Sequence, residues 1–183
     1  LRIALIVCAV FYVAFALSDV AVLGYSDKAL QLFMARALVA VAAALGVFAL
    51  ARQPQSIRAP SVVATAVEVV GMSAFMPVVL HRPHEIPWHA MSMSIMLVVV
   101  HLFIPNSFVN ATAVSIATTV VFSLLAIHVG ALSVSDTLTM TMLLVLVNTV
   151  GIIAAYRYQC LGRRQFRAQS ILRHLSFRDH LTG

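Results

Sequence analysis

Apolar residues fall in six long blocks, each closed by a short polar break. The blocks cover 3–22, 30–50, 60–80, 88–104, 108–129 and 137–156. Each approaches the ~20 apolar residues that a helix needs to cross a bilayer. No stretch alternates as a half-buried strand does, and no internal repeat stands out. The breaks are short, so successive spans are expected to run antiparallel. Pro60 suits a first helical turn, and Asp136 is the expected N-cap of the sixth span. The pattern therefore predicts an all-α membrane protein: six transmembrane helices over 1–156, then a cytoplasmic helical linker. The first block lacks a small-residue cleavage pattern and runs into a tight turn, so it reads as a span and not a removable signal.

Composition agrees. The chain has 183 residues, 62% hydrophobic and 10% charged. Soluble enzymes carry about a quarter charged residues, and disorder needs low hydrophobicity, so both classes are excluded. Residues 157–183 hold six arginines against Asp179, leaving +5 of the chain's +6 in this segment. A basic run directly after a span reads as a juxtamembrane cytoplasmic segment with anionic lipid as partner, ahead of nucleic acid. Cys8 and Cys160 lie in different regions and carry no disulfide signal.

Arginine bias sets the expected orientation. Arg2, Arg52, Arg58 and the basic tail share one side of a six-span topology. Lys28 and Arg82 alone mark the other. Both termini are expected to be cytoplasmic, with turns 23–29, 81–87 and 130–136 outside. In a bacterium this is the inner membrane.

Past Arg157 the spacing changes. Leu161, Ala168 and Leu175 are seven apart, and Leu172 lies four after Ala168. Over 157–178 this reads as an amphipathic signalling helix, either a short parallel coiled coil joining two protomers or a lone helix on lipid. The chain then ends Asp179-His-Leu181-Thr182-Gly183. This resembles the Asp-x-Leu-Thr-Gly turn that opens a GGDEF domain, so 179–183 reads as the start of a catalytic domain whose remainder is absent. The match covers about five positions, set just after a membrane bundle and a basic helix. The resemblance implies a diguanylate cyclase, a homodimeric enzyme that joins two GTP molecules into cyclic di-GMP with magnesium. It places no catalytic residue in this chain, which would be the sensory and dimerisation region.

Ionisable residues within spans are costly and usually pair or function. Asp19 lies near the outer end of the first span and Arg36 about two turns into the second from the same side, so an intramembrane ion pair is expected, or an anchor for an anionic ligand at Arg36. Glu68 sits about 12 Å from the cytoplasmic end of its span by helix rise. It is expected to be protonated, or hydrogen-bonded to Asn110 or His101. Asn148 is expected to bond either its symmetry mate or a neighbour in its own bundle.

His81, His84, Glu85 and His89 surround one outer corner, and His128 ends the fifth span on the same side. Met72, Met76, Met91, Met93 and Met96 lie in the adjoining spans. Imidazole and thioether suit zinc, copper or haem iron. The spacing matches no metal signature, and plain interfacial histidines are the alternative. The corner is the expected point of signal entry. The sensor of a histidine kinase or an adenylyl cyclase is the competing reading. A small transporter is the third, disfavoured because the spans show few Gly/Pro breaks.

Overall fold

The computed structural model describes residues 1–52 and 58–182, with side chains described up to residue 172. All the described elements are helical. In chain order they are α1 (Arg2–Ala14), α2 (Ala16–Leu23), α3 (Asp27–Arg52), α4 (Ala59–His81), a 3₁₀ turn (Pro83–Glu85), α5 (Ile86–Leu102), α6 (Phe108–Val129) and α7 (Val134–Thr182). Taking α1 with α2 and the 3₁₀ turn with α5, six helices are long and apolar enough to cross a membrane. The first block thus forms two helical pieces that meet at Phe15.

Local chemistry explains the helix ends. Gly24 closes α2 at φ +63°, and Gly130 closes α6 at φ +64° with its N–H on the Ala126 and Ile127 carbonyls. This left-handed stop favours glycine. Ser107 caps α6 by accepting from the Asn110 N–H at 3.2 Å. At α7 the expected cap is corrected. Ser133, not Asp136, is the N-cap: its hydroxyl accepts from the Asp136 N–H at 3.1 Å and donates to the Asp136 carboxylate at 2.6 Å. Asp136 sits in the first turn, where a negative charge suits the helix dipole.

The helices form a bundle in which α3 packs on α1, α2 and α4. α6 joins α4 to α7, and α5 lies mainly against α7. The main core gathers Leu32, Phe75, Val79, Met93, Leu97, Phe122 and Leu144. A second core of Leu5, Ala43, Leu50 and Val67 closes the end near the N terminus, called here the near end. Gly46 permits the close approach of α3 to α4, since a Cβ there would lie 2.8 Å from Val63 Cγ1. The far end carries Gly24, the 81–85 turn and Gly130.

The outer faces are apolar: Ile6, Leu38, Leu45, Leu124, Leu146 and Ile153 are all exposed. The buried set, by contrast, includes Asp19, Arg36, Glu68, Arg82, His101 and Asn148. A water-soluble bundle would reverse this arrangement. α7 continues without a break for 49 residues, about 73 Å at 1.5 Å per residue. Every side chain from Leu161 to Leu172 is exposed, including Ala168. The side chains of Leu175, Asp179, Leu181 and Thr182, and all of Gly183, lie outside the described residues.

Candidate functional site

Three polar centres are buried between the helices. At the far end, Arg36 forks onto Asp19, with Nε to Oδ2 at 2.5 Å and Nη2 to Oδ1 at 3.1 Å. Asp19 is only 1% exposed. The expected pair is therefore present, and it has a third member. Arg82 Nη1 donates to Asp19 Oδ1 at 2.8 Å, and its Nη2 pairs with Glu85. Two guanidinium groups and two carboxylates balance in charge, which is what lets ions persist away from water. Arg36 also donates to the Tyr12 carbonyl at 3.4 Å and lies near the Tyr12 and Phe15 rings. The Tyr12 hydroxyl in turn donates to the Gly71 carbonyl at 2.5 Å, tying α1 to α4. Each of the three Arg36 nitrogens thus donates to an acceptor within the protein. Arg82 Nε is buried with no partner.

The histidine corner beside it does not converge. His89 turns inward and donates from Nε2 to the Arg82 carbonyl at 3.2 Å, edge-on to Phe75. His81 is held by the Pro77 carbonyl at 2.7 Å and Gln31 at 3.0 Å. Glu85 is taken by Arg82, and His84 and His128 are exposed. Among the described residues, no three His, Cys, Asp or Glu side chains are placed to share a metal. Three members make separate contacts: backbone carbonyls and Gln31 hold His81 and His89, and Arg82 takes Glu85.

The second centre lies between α5, α6 and α7. His101 Nε2 donates to Asn148 Oδ1 at 3.1 Å. The Asn148 amide donates to Thr119 Oγ1 at 2.7 Å and to the Ser115 carbonyl at 3.2 Å. Asn148 is thus bonded within its own bundle. His101 Nδ1 is left buried without a partner. Gly151 is what admits the imidazole: a Cβ there would lie 2.5 Å from His101 Cδ2.

The third centre is at the near end. Glu68 Oε2 accepts from Asn106 Nδ2 at 2.8 Å. The partner is Asn106, in the α5–α6 turn, in place of the expected His101 or Asn110. Asn106 also accepts from Ser61 Oγ at 2.9 Å and donates to Thr65 Oγ1 at 3.0 Å. Asn110 reaches Thr65 at 3.1 Å, and so joins the group indirectly. Glu68 Oε1 is buried and unpartnered. From α7, Gln159 Nε2 donates to the Asn106 carbonyl at 3.5 Å.

Tyr12, Thr65, Asn106 and Thr119 were not singled out from the sequence, and Arg82 was read only as a marker of the outer side. The i, i+4 hydroxyl pairs Ser61/Thr65 and Ser115/Thr119 are the signal that marks two of these faces. Comparison with family models, with curated proteins and with solved structures finds no match to this chain.

Proposed function

We propose that the chain is the membrane input and dimerisation region of a diguanylate cyclase. In this reading it turns a signal in the bundle into the orientation of two catalytic domains that make cyclic di-GMP from GTP with magnesium. The observation that carries it is α7, one helix that leaves a polar-centred bundle and continues to the Asp-x-Leu-Thr-Gly segment. A rigid helix can transmit a tilt or rotation that a loop would absorb. Beyond the bundle it runs on as a helix to Thr182 with every described side chain exposed, and most helical stability in proteins comes from packing against a partner. A second copy along Leu161, Ala168 and Leu172 would stabilise it.

The reading places the bundle in the bacterial inner membrane with both termini cytoplasmic. Arg157 and Arg164 fall on the same helical line as Leu146 and Ile153, at spacings of four and seven. The outward apolar stripe of α7 thus turns basic as it leaves the bundle, which suits anionic headgroups. Cysteine labelling in intact cells checks the sidedness. Ser133→Cys is expected to react with an impermeant reagent and Ser56→Cys only after lysis; the reverse pattern contradicts the orientation.

The function itself is tested on the protein carrying whatever its gene encodes after Gly183. Purified in membranes with GTP and magnesium, it is expected to form cyclic di-GMP. A kinase histidine box in place of the GGDEF signature, or no product from a folded dimer, overturns the proposal.

A further inference from the structure

Each centre leaves one buried atom unpartnered, Arg82 Nε, His101 Nδ1 and Glu68 Oε1, and at the near end that atom belongs to a carboxylate with no counter-charge among the described residues. Glu68 is 4% exposed. Its Oε1 has no partner, and no Lys or Arg among the described residues pairs with it. Its Oε2 accepts from Asn106 Nδ2, and through Asn106 it is joined to the neutral oxygens of Ser61, Thr65 and the Asn106 amide itself. We infer that this nest is a binding site for a monovalent metal cation of the sodium class, with Glu68 supplying the single negative charge.

Charge and valence both point there. An unpaired buried carboxylate is far more costly than a neutral buried group. A proton cancels the charge. Placed on the free oxygen, however, it makes a hydroxyl donor that needs an acceptor of its own. A cation at Oε1 settles charge and valence together. Hard cations take oxygen ligands, and divalent ions collect several carboxylates. Here one carboxylate stands among neutral oxygens, and no three acidic, His or Cys groups converge among the described residues. That donor set neutralises +1 and not +2.

Asn106 supplies the switch. Its Nδ2 donates to Glu68 and its Oδ1 accepts from Ser61. Turning the amide over presents Oδ1 to a cation beside Glu68 and Nδ2 to the Ser61 hydroxyl, which can accept. The exposed Ser107 N–H, now on Oδ1 at 2.7 Å, is released to solvent. The Asn106 carbonyl holds Gln159, at the point where α7 leaves the bundle. Occupancy would therefore be felt at the root of the output helix. This last consequence rests on the proposed input function; the binding does not.

Equilibrium binding of radioactive sodium ion to the purified full chain in lipid nanodiscs tests the inference directly. Saturable binding near one ion per chain is expected, in a choline background at constant ionic strength. It should weaken about tenfold or more in Glu68→Gln and be kept in Glu85→Gln, whose carboxylate lies at the far end. Thr65→Val, which keeps shape and removes one oxygen, covers the case in which Glu68→Gln does not fold, and should also weaken binding. No saturable binding by the wild-type chain overturns the site. So does binding unchanged in both near-end variants, or stabilisation by acid alone with no effect of sodium.

Discussion

Asp19→Ala is expected to be the most damaging single substitution in the bundle, costing about 3–5 kcal/mol. The reason is its position between two cations. Arg36 meets it at 2.5 Å and Arg82 at 2.8 Å, all three side chains being almost wholly buried. Without the carboxylate, two guanidinium groups face each other in a low-dielectric setting, and only Arg82 keeps a counter-ion, Glu85. Arg36→Ala leaves Asp19 still paired with Arg82, so a smaller loss is expected. An isolated Asp19–Arg36 pair would make the two single variants alike. The Asp19→Ala/Arg36→Ala double variant should recover part of the loss, because it leaves the Arg82–Glu85 pair intact. Reversible unfolding in mixed micelles measures all three. Equal single losses with an additive double would contradict the network.

The same substitution at two glycines of α7 should act with opposite signs. At Gly151 a Cβ would lie 2.5 Å from His101 Cδ2 and 3.0 Å from Cγ. The ring cannot retreat without leaving Asn148, on which its Nε2 depends. Gly151→Ala is therefore expected to cost about 1–3 kcal/mol through overpacking, even after the better helix propensity of alanine. Gly162→Ala meets nothing within 4 Å. Relief of glycine's backbone entropy there should stabilise by about 0.5–1 kcal/mol. Thermal unfolding of the two variants side by side separates them; a stabilising Gly151→Ala would show that His101 is not seated against α7.

The six-helix architecture was legible because apolar blocks and short breaks leave few other solutions, and the Asp19–Arg36 pair because both sit toward the same end of neighbouring spans. Arg82 was hidden. It lies in the polar 81–87 turn, where an arginine reads as solvated, and nothing local shows that it folds back onto Asp19. Glu68 was legible as a buried acid, but its partner was not. Asn106 sits in a Pro-Asn-Ser turn that reads as a helix stop, and only the approach of α4 to α6 turns that stop into a carboxylate ligand. The directions of the corner histidines were hidden for a related reason. Shared location near one end does not show where each ring points, and backbone carbonyls compete for imidazole as well as metals do. Asn148 bonds Thr119 and Ser115, on α6, the helix it packs against, and neither partner is marked by sequence distance.

The central claim is that α7 carries the signal as a rigid rotor. Insertions directly after Gly162 in the full-length protein test it, with cyclic di-GMP formation in native membranes as the readout. Two added residues turn the tail by about 200° relative to the bundle. Seven restore the coiled-coil phase while lengthening the tail further. The expected result is output lost or locked by the two-residue insertion and regained with seven. Output that is indifferent to both, or that falls steadily with length, would contradict the account.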